Sequence, residues 1–430
     1  MEKITNFTTL GAMFTVGMGL LLMFLPRRYA VVPMVMITCF MTIGQQVNVM
    51  GATFTIVRIL VLLGWIRVIL RGEIKSLRLN GIDYTLLIWA ASSVIVPTIR
   101  EPTTDMLVNR MGFAYNAAGL FFLFRSVIRD IDDIERVIKI ISVIIIPLAL
   151  AMILESTTTR NVFAFFGGVP EFTSVRDGQI RCQGPFRSPI LAGTLGATVV
   201  PLCISLWFSK ACKKSIVILG FVSASIITAT SSSSGPATSY ILGLIAFLFW
   251  PLRRNMRTVR WIIVLSLGLL HFVIMKAPVW YLIAKMSGFI GGTGWHRSYL
   301  IDQAIKYFNE WWLIGTDYTA HWMPYAQWTN PNMADITNQF IAEGVNGGLI
   351  TMVLFILMIA YCFRKIGVEL PGMERHSKSS GVIVWGMGVT LFSHVMSFLS
   401  VTYFDQIIVI WYLLLAMISR LGDRDEAALS

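Results

Sequence analysis

Charge is what this sequence has least of: 13% of its 430 residues are Asp, Glu, Lys or Arg, against about 25% in an ordinary soluble domain. A water-soluble fold is excluded, because a single core stops growing near about 250–300 residues and cannot hide this much apolar surface. Cysteine is scarce as well. Cys39, Cys182, Cys203, Cys212 and Cys362 show no metal-ligand spacing, and only Cys182 falls in a connection expected outside the cytoplasm. No disulfide framework follows, and the thiols read as small buried apolar groups. There is no Walker motif, no dinucleotide fingerprint, no His-Glu-x-x-His and no carboxylate cluster of metal-binding spacing. Neither a cofactor nor a metal is expected. The net charge of +12 does not indicate nucleic acid, because the basic residues fall in short clusters between apolar runs. No soluble domain, repeat array or low-complexity tract interrupts the chain, so 1–430 reads as one integral membrane domain.

What is present is apolar: 56% of the residues are hydrophobic. A span needs about 20 mostly apolar residues. Candidates are 8–26, 30–50, 52–70, 83–99, 107–125, 136–155, 189–209, 215–231, 236–252, 260–277, 346–363, 380–398 and 402–419. The expected fold is therefore all-α and polytopic, with about 12–13 transmembrane helices. The first run is followed by Arg27-Arg28 with no small-residue cleavage site, which reads as a retained helix. Alternate connections carry basic clusters, among them Arg27-Arg28, Arg125 with Arg129, Lys213-Lys214, Arg253-Arg254 and Arg364-Lys365. The positive-inside rule puts these in the cytoplasm, with the amino terminus outside and the carboxyl terminus inside. Two long connections then face outward, 156–188 and 277–345, the second expected to hold a helix. Long loops of this kind usually carry function.

The first outward loop ends in Arg181-Cys182-Gln183-Gly184-Pro185-Phe186-Arg187-Ser188-Pro189, directly before a span. Proline suits the first turn of a helix, whose free N–H groups would face outward beside Arg181 and Arg187. That pattern suits a phosphate. The alternative is that both arginines snorkel to lipid headgroups. In the second loop, 294–312 reads as an amphipathic helix with apolar positions at 301, 304, 305, 308 and 312. Arg297 continues that stripe. A cation there is costly unless an anionic ligand or a buried carboxylate pairs with it. Trp295, Tyr299, Trp311, Trp312, Tyr318 and Trp322 crowd this loop, either as interfacial rings or as sugar-stacking faces. His296, His321, Asp317, Asp335 and Glu343 supply acid–base groups. Asp335 doubles as a candidate cap for a helix starting near Ile336.

These outward-loop residues resemble the bacterial O-antigen ligase and polymerase superfamily, from about Arg181 to Phe355. Thr293 to Asp317 is closest: Gly294 to Arg297, an amphipathic helix, then Leu313-Ile314-Gly315. Arg181-x-x-Gly184-x-Phe186-x-x-Pro189 is similar to the family's earlier segment, and Ser233-Ser234-Gly235 to a Ser-Arg-Gly turn whose arginine is here Ser234. Thr337-Asn338 stand where the family has His-Asn, and Glu343 follows at a shorter distance. An extra amino-terminal span also departs from the usual count.

The resemblance implies a bacterial inner-membrane glycosyltransferase acting at the periplasmic face, without a metal or cofactor. Its donor would be an undecaprenyl-diphosphate-linked oligosaccharide, and its acceptor a glycan or lipid A-core. A flippase and a chain-length regulator would be its neighbours in polysaccharide biosynthesis. Arg181, Arg187 and Arg297 would bind the diphosphate, with Asp335, His321 or Asp317 as the base. Trp295, His296, Asn338 and Glu343 would meet the sugar. Polymerase, ligase and protein oligosaccharyltransferase stay open. The rival class is a transporter, such as a flippase for the same lipid-linked sugar.

Overall fold

In the computed structural model, residues 8–42, 45–49, 52–74, 78–210, 212–290, 294–323 and 332–422 are described. Parts of the second long connection, Thr293 among them, lie outside these residues. The protein is an all-α polytopic membrane protein. Among the described residues its helices are α1 (Thr9–Phe24), α2 (Val32–Phe40), α3 (Ile56–Leu70), α4 (Gly81–Arg100), α5 (Thr104–Val127), α6 (Ile131–Thr158), α7 (Pro189–Ser205) and α8 (Lys214–Thr230). They continue with α9 (Ser234–Leu248), α10 (Met256–Leu269), α11 (Leu282–Ile290), α12 (Gly294–Lys306), α13 (Phe308–Trp311), α14 (Gln339–His376), α15 (Lys378–Phe398) and α16 (Ile407–Ser419). Two short antiparallel hairpins complete the fold, β1 (Gln46–Val49) with β2 (Ala52–Thr55) and β3 (Ser174–Arg176) with β4 (Gln179–Arg181).

Six helical segments are long and apolar enough to cross a membrane, and α1, α8, α9 and α16 are shorter apolar helices. The expected span at 30–50 is corrected: it is helical only to Phe40, then turns into the β1–β2 hairpin. The polar run Gln45-Gln46 explains the break, because Gln45 leaves the apolar pattern to donate to the Phe166 carbonyl at 2.5 Å. Helix starts follow local chemistry. Asn80 and Asp83 form a capping box on α4, and Asp130 caps α6. Proline opens α7.

α7 is the hub, buried along most of its length against α8, α9 and α15. α14 is broken at Gly347 and Gly348, the latter at φ 72, a conformation that glycine adopts without cost. The carbonyls freed by the break are not orphaned: Arg100 donates to Val345 and Asn346 at 3.3 and 3.1 Å, and Thr316 N–H to Val345 at 2.8 Å. α10 has no buried residue. All five cysteines are free and buried.

The helix ends fall on two faces. One holds the amino ends of α7, α9 and α14 with the β3–β4 hairpin and α11–α13, and is called the loop end below. The opposite end is tied by arginine–carboxylate contacts. Arg125 pairs with Asp83, both wholly buried. Arg67 reaches Glu73 at 3.1 Å, and Arg27 reaches Asp133 at 2.6 Å. Arg253 pairs with Glu374 while stacked 4.1 Å over Trp250.

Candidate anion site

The loop-end chemistry starts with a tight hairpin. Asp177 and Gly178 take positive φ of 52° and 75°, so β4 folds back on β3 and Ser174 pairs with Arg181. Two bonds tie β4 to the turn between α8 and α9: Cys182 N–H donates to the Thr230 carbonyl at 3.0 Å, and Ser232 Oγ to the Ile180 carbonyl at 2.9 Å. Arg181 Nη2 then lies 2.8 Å from Ser233 Oγ, at the first turn of α9. Arg297 arrives from α12. Its Nη1 donates to Ser234 Oγ at 3.3 Å and to Ser287 Oγ of α11 at 3.2 Å. A Cβ built on Gly235 would stand 3.4 Å from Arg297 Nη2, so the guanidinium also lies against the start of α9.

Two cations therefore converge on the amino end of one helix, where the N–H groups of the first turn already carry partial positive charge. Among the described residues no carboxylate pairs with Arg181 or Arg297, and their hydrogen-bond partners are neutral serines. Arg297 is only 6% exposed. Burial, with the charges of Arg176 and Arg181 adding to it, pushes its guanidinium down to about 10. Arg181 is lowered by burial first and by Arg176 second, partly offset by Asp177. Holding uncompensated ions in this way costs several kcal/mol each, roughly, unless an anion joins them.

An apolar cavity of about 570 Å³ lies alongside, lined by Ile301, Ile305 and Phe308 on one side and by Phe340, Ile341 and Leu399 on the other. Ile301 is one helical turn beyond Arg297. Leu399 precedes Ser400, whose Oγ a Cβ on Gly235 would meet at 2.5 Å. The cavity and the guanidinium groups thus share two elements, α12 and the segment at Leu399-Ser400. The apolar stripe expected at 301, 304, 305 and 308 lies along this groove. Arg297, Leu300 and Ala304 of α12 are buried, whereas Ile305 and, at the start of α13, Phe308 are exposed; Ala304, Ile305 and Phe308 all line the groove.

The other predicted site residues divide. Arg187 does not join the pair: its Nε faces Asp405 at 3.7 Å, and half of its side chain is exposed. Asp317 is taken by Arg100, whose Nε donates to it at 2.8 Å. His321 Nε2 lies 3.1 Å from Glu310, with the ring stacked on Tyr318. Asp335 is exposed, and among the described residues its carboxylate has no partner; its carbonyl lies 3.2 Å from His296 Nε2, next in sequence to Arg297. Asp335 does not cap α14. That role belongs to Asn338, which accepts from Phe340 N–H at 3.0 Å and Ile341 N–H at 3.2 Å, because the chain stays extended for three residues longer than expected. Glu343 is buried and occupied, accepting from Trp89 Nε1 at 3.0 Å and Gln339 Nε2 at 2.7 Å. Asn338 and Glu343 thus both hold structural hydrogen bonds, and Asn338 also lines the apolar cavity. Trp295 is exposed and stacked on Tyr299 at 4.9 Å.

Sequence reasoning missed Arg176 and Ser287. Arg176 becomes relevant only once β3 pairs with β4, and the Asp177-Gly178 turn was the one local sign of that hairpin. Ser287 lies on a different helix, and nothing local marks it. Compared with profiles of known families and with curated proteins, the chain matches none.

Proposed function

We propose that this protein is a membrane glycosyltransferase that takes its sugar from an undecaprenyl-diphosphate-linked oligosaccharide and passes it to a glycan or lipid acceptor at the outward face. One observation carries the reading: on the amino end of α9 a buried Arg297 and a half-buried Arg181 have only serine partners among the described residues, and α12, which carries Arg297, also lines an apolar groove. A polyprenyl diphosphate has the matching form, an anionic head on a long apolar tail. The replacement of arginine by Ser234 in the family-like turn fits the same reading, because Arg181 and Arg297 bring guanidinium groups to Ser233 and Ser234 from elsewhere in the chain.

In this mechanism Arg181 and Arg297 hold the diphosphate. The acceptor hydroxyl oxygen bonds to the anomeric carbon, and the carbon–oxygen bond to the diphosphate breaks. Its electron pair leaves on the diphosphate, where the guanidinium groups stabilise the growing charge. The hydroxyl proton passes to a base. Asp335 is the strongest candidate, its carboxylate exposed beside His296 and without a partner among the described residues. His321 is second, oriented by Glu310. Arg187 and Asp317 drop out of the roles first assigned to them.

The test is purified protein with synthetic undecaprenyl-diphosphate oligosaccharide, following release of undecaprenyl diphosphate. Arg297→Ala should abolish release while the folded protein is still recovered; full turnover by that variant removes Arg297 from the site. One feature favours a transporter as the second reading: the broken helix α14, since half-helices occur at transporter binding sites. Passage of the oligosaccharide across liposomes with no new glycosidic bond would establish that reading instead.

A further inference from the structure

The last turn of α6 holds a carboxylate in an unfavourable place. Glu155 is wholly buried, and among the described residues no cation pairs with it. It also sits at the carboxyl end of its helix, where the dipole opposes negative charge. What offsets these costs is the Arg181 loop. Glu155 Oε1 accepts from Gln183 N–H at 3.0 Å and from Thr173 Oγ1 at 3.2 Å, and Oε2 accepts from Gly184 N–H at 2.9 Å. Bonds from main-chain amides to an ionised carboxylate are roughly twice as strong as neutral ones. The same loop is held from the other side by Asn161, whose Nδ2 donates to the Gly184 carbonyl at 2.7 Å.

We infer that Glu155 is a positioning residue for Arg181: by fixing the amides of Gln183 and Gly184 it sets where the Arg181 guanidinium stands over Ser233. A glutamine would serve for packing alone, but its NH2 group would face one of the amide donors. The inference rests on the proposed binding of a lipid diphosphate, and it assigns a role to a residue that touches no ligand.

The experiment is a double-mutant cycle on the full chain in detergent, reading affinity for undecaprenyl diphosphate. Glu155→Gln should weaken binding by about tenfold or more when Arg181 is present. In an Arg181→Ala background the same substitution should change affinity by less than about twofold, because its effect passes through the missing side chain. Equal losses in both backgrounds, or no loss in either, overturn the assignment. Hydrogen exchange without ligand is the second reading: in Glu155→Gln the amides of Gln183 and Gly184 should exchange faster while those of α14 and α16 stay unchanged. Uniform acceleration, or none, also overturns it. Glu155→Asp serves where the glutamine variant is not recovered folded, and failure of both would make Glu155 a residue of the whole fold and not of this loop. If the wild-type protein does not retain undecaprenyl diphosphate, the proposed function fails, and the exchange data still decide the role of Glu155 on their own.

Discussion

Arginine meets two kinds of partner in this molecule, and even at the loop end Arg100 and Arg187 face carboxylates, those of Asp317 and Asp405. At the end away from the long loops, Arg125 meets Asp83, Arg67 meets Glu73, Arg27 meets Asp133 and Arg253 meets Glu374. At the loop end, Arg181 and Arg297 meet only serine hydroxyls, although Arg297 is nearly as deeply buried as Arg125. A cation whose charge is balanced inside the chain is part of the scaffold. One left with neutral partners at a helix amino terminus is, on the reading proposed above, available to an anion that arrives from outside.

The comparison can be broken most sharply at the scaffold end. Asp83→Ala leaves Arg125 buried without its carboxylate, and should cost about 3–5 kcal/mol of stability. Thermal unfolding in detergent would show this as a large fall in midpoint, or as loss of folded protein. The matching substitution at the loop end, Arg297→Met, should do the reverse. Its unfolding midpoint should hold or rise, while affinity for undecaprenyl diphosphate falls by about 2–5 kcal/mol, measured by lipid retention. Arg181 is half-buried and should contribute less: Arg181→Ala is expected to lower affinity by about 1.5–3 kcal/mol, the range for a hydrogen bond to a charged group. Arg187 sharpens the contrast from the other side. Already paired with Asp405 and half exposed, it should be worth about 0–1 kcal/mol, so Arg187→Ala should leave both stability and affinity nearly unchanged.

Much of this architecture was legible because bilayer physics is one-dimensional along the chain. Apolar runs of span length gave the membrane class. The hairpin after Phe40 was not legible as such, since its cause is a contact from Gln45 to Phe166, far away in sequence. In the site, Arg297 stood out because a cation on an apolar helix face needs an explanation. What that face packs against was not legible: the stripe at 301, 304, 305 and 308 is apolar for a groove, and periodicity cannot tell a groove from a core. The partners of Arg187 and Asp317 could not be read either. Asp405 and Arg100 are brought to them only by the packing of distant helices. The α14 cap shifted from Asp335 to Asn338, a displacement of three positions between two residue types that both cap well, so the Asp335 carboxylate does not cap that helix.

The central claim is that guanidinium groups lacking internal counter-charges hold a lipid diphosphate at the start of α9. Native mass spectrometry of the protein incubated with undecaprenyl diphosphate, and separately with undecaprenol, tests it directly. Retention of the diphosphate by the wild type, lost in the Arg181→Ala, Arg297→Met double variant while weak undecaprenol binding is unchanged in both, is the predicted result. Equal retention of the diphosphate by wild type and double variant would contradict it.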